Sequence, residues 1–171
     1  MQINNIYNIV GFQICWWSCV LGVVNDYQYL GPIAMTMFLL VHFICFSKNI
    51  REIYFVVIIG IFGVLIDSSF LTFDIIKYKY PILNSFAPLW IISMWIGFAS
   101  TINHSMYWLN GQHYLMALFG FVFGPLSYLA GLNFEALIFE KSLSVLLILG
   151  VVWAFSLPLM FFLNNKIMRA S

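Results

Sequence analysis

Asp67 stands in the run Gly63-Val-Leu-Ile-Asp-Ser-Ser-Phe-Leu71, a carboxylate with apolar residues on both sides. Hydrocarbon cannot solvate such a group, so an ionisable side chain inside an apolar run is first of all a candidate functional site. It should point into a protein interior, where Tyr128, Ser127, Trp90 and Asn25 are the expected partners at its depth. Two chemistries are open to it. A neutral carboxyl suits a helix-packing joint or a proton-coupled step. An ionised one, with Lys77 reaching back along its aliphatic stem, suits a cation or headgroup contact. Every other charge is expected in a loop or at a helix end, within reach of water.

A second polar group comprises Gln13, His42, Asn103 and His104. Buried polar atoms need partners, so Gln13, Asn103 and His104 are expected to meet in one cluster near the inner ends of the first and fourth helices. Two histidines on different helices, His42 and His104, could hold a haem iron between them. Their spacing does not require it, and the sequence names no cofactor and no metal-ligand set. No carboxylate is expected at the depth of His104. Cys15 and Cys19 share a helix face, but with Cys45 they read as small buried hydrophobes. No HExxH, GxSxG or Asp-rich metal pair occurs, so no catalytic residue is assigned.

These residues sit on a chain that is 63% hydrophobic and 8% charged. Soluble domains carry about 25% charged residues, and a soluble fold could not hide this much apolar surface. Tyr80 to Phe134 contains no Asp, Glu, Lys or Arg. Six apolar runs follow one another: Ile6–Val24, Gly31–Phe46, Ile53–Phe73, Pro88–Leu109, Tyr114–Leu132 and Ser142–Leu163. Between them lie the charged loop Ser47–Glu52, the polar break Asp74–Ser85, the turn Asn110–His113 and the loop Glu135–Lys141. Each run is about the length that crosses a bilayer, roughly 20 residues, and too long for a barrel strand. The expected fold is therefore all-α: one polytopic membrane domain over residues 1–171, a bundle of about six transmembrane helices.

Pro125 should kink the fifth helix and Pro158 the sixth. Trp90 and Trp108 bracket the fourth and are expected as interfacial anchors. Lys48, Arg51, Lys166 and Arg169 fall on one side, against Lys77, Lys79 and Lys141 on the other. That bias puts both termini in the cytoplasm. The first eleven residues carry no Lys or Arg, so the first apolar run is expected to be retained rather than cleaved. With no basic patch, nucleic acid is not an expected partner. Membrane lipid is, together with another membrane protein or a second copy of the chain.

Several segments occur in an order that resembles a known family. They are NxxGFQxxWWxCVLG from Asn8 to Gly22, YLGP from Tyr29, LIDS from Leu65, PLWIISMWIGFASTINHSMYWL from Pro88 to Leu109, and GPLSYLAG from Gly124. Together they resemble the small bacterial inner-membrane proteins grouped as domain of unknown function 2878. The resemblance implies a multi-pass protein of the bacterial inner membrane, and polar residues shared at Gln13, Asp67, Asn103 and His104. It implies no activity, substrate or cofactor. Three function classes follow: an accessory or structural membrane subunit, a small-solute or lipid carrier, and a membrane-embedded lipid-modifying enzyme.

Overall fold

A computed structural model describes residues 3–47 and 49–169; Lys48, part of the charge count above, lies outside them. Among the described residues the chain forms six α-helices, α1 (Ile3–Val24), α2 (Leu30–Val41), α3 (Ile50–Thr72), α4 (Leu89–Ala99), α5 (His113–Asn133) and α6 (Leu143–Arg169). Two short strands, β1 (Lys77–Tyr78) and β2 (Leu137–Ile138), pair antiparallel at one end of the bundle. The all-α membrane architecture expected from the apolar runs is what the chain adopts.

Four helices, α1, α3, α5 and α6, are long and apolar enough to cross a membrane. The other two apolar runs are shorter as helices. α2 has 12 residues and is extended by a five-residue π turn, His42–Phe46. α4 has 11 residues, which reach about 16 Å, half of a ~30 Å hydrocarbon core. The expected helix over Pro88–Leu109 is thus corrected. It stops where the sequence turns polar, because the hydroxyls of Ser100 and Thr101 donate to the carbonyls of Gly97 (2.7 Å) and Phe98 (2.6 Å). Such local bonds compete with helical ones. Turns and a 3-10 segment, Tyr107–Leu109, carry the chain onward.

Non-helical backbone is tolerated at membrane depth only when protein surrounds it. Asn8 supplies that cover. Fully buried on α1, it donates to the Ser100 carbonyl (3.2 Å) and accepts from the Ser105 hydroxyl (2.6 Å). At the far side of the same segment, Asn103 and Asn164 exchange two amide hydrogen bonds (2.9 and 2.7 Å). Asn110 and Asn165 exchange two more (3.3 and 2.9 Å). The sixth helix therefore does not end before Asn164; it runs to Arg169, and Asn164 is buried. Arg51 donates to the Met168 carbonyl (3.1 Å), where a cation complements the helix C-terminus.

Consecutive helices pack as hairpins, α1 on α2, α3 on α4 and α5 on α6, with α4 also against α1 and α2, and α3 against α6. α1, α3 and α5 end alike, each with an acidic residue in left-handed conformation: Asp26 (φ 64°), Asp74 (φ 54°) and Glu135 (φ 61°). The next amide reaches back to Gly22, Phe70 and Gly131 respectively, at 2.7, 2.9 and 2.9 Å. That bond closes the helix end and turns the chain sharply. After α3 and α5 the turn leads straight into β1 and β2. Alternation along Ile76-Lys77-Tyr78 then sends Ile76 and Tyr78 inward and Lys77 outward. Between α5 and α6 the contact is close: a Cβ on Gly120 would lie 2.1 Å from the Trp153 carbonyl oxygen. Pro125 and Pro158 lie inside continuous helices.

Candidate functional site

Asp67 has no solvent exposure. It faces α4 and α5, as the cost of placing it toward lipid requires. One carboxylate oxygen accepts from Tyr78 (2.6 Å) and Tyr128 (2.7 Å), and the other from the Trp95 indole (2.6 Å). Three donors from β1, α5 and α4 thus converge on one side chain of α3. Of the expected partners, Tyr128 is present. Trp90 instead donates to the Lys79 carbonyl (3.1 Å), Ser127 to Gly124, and Asn25 to Leu21. Trp90 is buried rather than interfacial; Trp108 is half exposed. Lys77 does not reach back: it is exposed and lies 3.8 Å from Asp74. Tyr78 and Trp95 are the partners sequence reasoning missed. Gly63, one turn before Asp67, makes room for the Trp95 ring, since a Cβ there would lie 2.1 Å from its Cγ.

The three-residue cluster of Gln13, Asn103 and His104 does not form. Gln13 makes no side-chain hydrogen bond among the described residues and is exposed near the middle of α1, about 15 Å from either end. Asn103 is taken by Asn164. His104 turns to a residue the sequence had placed in a loop. Glu52 lies in the first turn of α3 and is 3% exposed. Its Oε1 stands 3.0 Å from His104 Nε2 and 3.3 Å from His42 Nε2, and the Ser47 hydroxyl donates to its Oε2. So a carboxylate does sit at the depth of His104. The two imidazoles touch edge to face, centroids 4.6 Å apart, with Glu52 at the point where their nitrogens converge. A haem cannot enter between them.

A cavity lies between the α1–α4 side of the bundle and the α5–α6 hairpin. Its volume is about 560 Å³, within the ~300–1,000 Å³ range of small-molecule sites. Its walls are almost wholly apolar and rich in aromatic rings: Phe12, Trp16 and Trp17 of α1, Trp95 and Phe98 of α4, Phe119 and Phe123 of α5. Trp153 of α6 stacks on Trp95, centroids 4.6 Å apart and planes within 10°. Gln13, Ser127 and Tyr128 are the polar lining. Trp17, Phe123 and Leu126 are exposed at its mouth. Two of the three groups that hold Asp67, Trp95 and Tyr128, are therefore also wall residues of this cavity. Asp67 fixes the wall from behind and does not enter the cavity. Gln13, expected at an inner polar cluster, belongs here instead.

Residues 5–159 match the family described as a protein of unknown function, DUF2878. No curated protein and no solved structure matches the chain.

Proposed function

The chain belongs to the DUF2878 family, whose description carries no activity, and from the site itself we propose that it is a membrane-embedded binding protein for the apolar chain of a membrane lipid. The observation that carries this reading is the aromatic cavity at mid-helix depth, with its mouth among side chains that face hydrocarbon. Gln13 and Phe123 lie near the midpoints of α1 and α5. An occupant there meets the bilayer centre, where acyl and isoprenoid chains reside and headgroups do not. Rigid rings give a large contact area at small entropic cost, and Gln13 offers one amide to a polar substituent.

This reading favours the lipid carrier among the three function classes over the accessory subunit. The lipid-modifying enzyme is the second reading, favoured by the Glu52, His42 and His104 constellation alone. α2 with its π turn, and α4 with the 100–109 turns, complete six crossings in this proposal. Both termini then lie on the cytoplasmic side of a bacterial inner membrane. Arg51, Lys166 and Arg169 are grouped at one end of the bundle, as the positive-inside rule asks.

The test is extraction and mass spectrometry of lipids that stay with the protein through gentle detergent purification. The expected result is a lipid class enriched over the host membrane and lost in Ala130→Trp, which fills the cavity from a wall position. A lipid profile identical to the bulk membrane, unchanged by Ala130→Trp, would refute the proposal.

A further inference from the structure

The second buried constellation supports a site of another kind, independent of the lipid cavity. We propose that His42, Glu52 and His104 bind a divalent transition-metal ion of the zinc type.

The donor set comes first. Two imidazole nitrogens and one carboxylate oxygen lie within 4.8 Å of one another, supplied by the π turn after α2, the first turn of α3 and the turn after α4. Two histidines and a carboxylate are the ligands of open zinc sites, and imidazole nitrogen suits late first-row ions over calcium or magnesium. Distance comes second. Zinc binds nitrogen and oxygen at about 2.0–2.1 Å, so neighbouring ligands of a tetrahedral ion stand about 3.3 Å apart. His42 Nε2 is 3.3 Å from Glu52 Oε1, long for a charge-assisted hydrogen bond and equal to that edge. His104 Nε2 at 3.0 Å needs an outward shift of a few tenths of an ångström, about 0.3 Å.

Support around the ligands comes third. The Ser47 hydroxyl holds Oε2 of Glu52, which leaves Oε1 turned to the histidines. Metal-binding carboxylates are oriented by such outer hydrogen bonds. Ser47 is itself fixed by its own amide, which donates to the His42 carbonyl (2.8 Å) across the π turn. π turns of this kind collect at functional sites. Charge comes fourth. Glu52 is almost fully buried, and among the described residues no Lys or Arg pairs with it. A buried carboxylate is stabilised by a compensating cation, which a metal ion between Glu52 and the two imidazoles would supply. Arg51, beside it in sequence, is committed to the Met168 carbonyl.

The experiment uses the full chain in detergent micelles, freed of any affinity tag, stripped with a chelator and titrated with Co²⁺. The expected result is one Co²⁺ per chain, with the visible absorption of a low-coordinate ion, displaced by Zn²⁺. Glu52→Gln and the double variant His42→Asn, His104→Asn should lose that signal. Ser47→Ala should keep the stoichiometry and weaken binding about 10–100-fold. Helix content and elution volume of each variant report whether it has folded; Ser47→Ala disturbs the fold least and carries the test if the others aggregate. A folded parent that retains no Co²⁺ would overturn the proposal. So would equal binding by the parent and every variant.

Discussion

Replacing Asp67 by Asn changes one atom at the point where three helices and a strand are tied together. All three partners are donors: the hydroxyls of Tyr78 and Tyr128 on one oxygen, the Trp95 indole on the other. An amide has one acceptor atom and one donor atom, so it cannot serve both sides. If its nitrogen faced Trp95, two donors would collide. The carbonyl must therefore face Trp95 and the nitrogen the two tyrosines. Each tyrosine can accept from the amide but must turn its own O–H away. Two buried hydroxyl hydrogens are orphaned, at about 1–3 kcal/mol each, offset by about 0.5–1.5 kcal/mol for each new bond. The net loss is roughly 1–3 kcal/mol, or about 2–12 °C in Tm for a chain of this size. Cys45 is exposed rather than buried as expected, so the assay uses a Cys45→Ser background, in which a thiol-reactive fluorophore reports exposure of the buried Cys15 and Cys19 as the protein unfolds on heating. Tyr128→Phe removes one donor and leaves Tyr78 on the same oxygen, so it should cost less than Asp67→Asn, about 0.5–1.5 kcal/mol. If Asp67→Asn melts within about 1 °C of the parent, the donor accounting is wrong and Asp67 is not the fastening of the bundle.

Other outcomes follow from the same structure. Asn164→Leu should destabilise by about 1–3 kcal/mol by orphaning the Asn103 amide, and adding Asn103→Leu should recover part of it; a strictly additive double mutant would contradict the pairing. Gly120→Val should prevent α5 and α6 from closing, because its Cβ meets backbone at 2.1 Å, and recovery of a normally melting protein would refute that close approach. Cysteine labelling of both ends in intact cells should place them on one side of the membrane; opposite sides would remove the six-crossing arrangement. Glu52→Gln should abolish Co²⁺ binding while leaving lipid retention unchanged, since Glu52 is not part of the aromatic cavity.

The long helices were legible because apolar runs of spanning length admit few other structures. α1, α3 and α5 begin and end within three residues of where composition changes. The inward orientation of Asp67 was legible too, since a lone carboxylate in an apolar run has one affordable direction. Tyr78 was not. It reaches Asp67 through a two-residue strand that depends on β2, some sixty positions away. Glu52 was misplaced because Ser47 to Glu52 reads as a charged loop. The spacing Asn49-x-x-Glu52 is that of a helix-capping box and held the missing signal. Asn49 does cap α3, its side chain accepting from the Arg51 amide (3.1 Å). That start puts Glu52 inside the helix. Gln13 does not meet Asn103 and His104 because α1 starts at Ile3, before the apolar run at Ile6, which puts Gln13 near mid-helix, while Asn8, nearer the helix end, bonds Ser100 and Ser105. The break after α4 falls in the polar stretch Ser100–Ser105, which the apolar residues Met106 to Leu109 make read as part of one long run.

The central claim is that an apolar lipid chain occupies the aromatic cavity. Photo-crosslinking in vesicles tests it most directly, with a phospholipid bearing a photoreactive group at mid-chain and the adducts mapped by peptide mass spectrometry. Adducts should concentrate on cavity residues such as Trp16, Met94 and Phe123 and fall several-fold in Ala130→Trp. Adducts spread evenly over outward residues such as Leu65 and Phe155, with Ala130→Trp labelled like the parent, would contradict it.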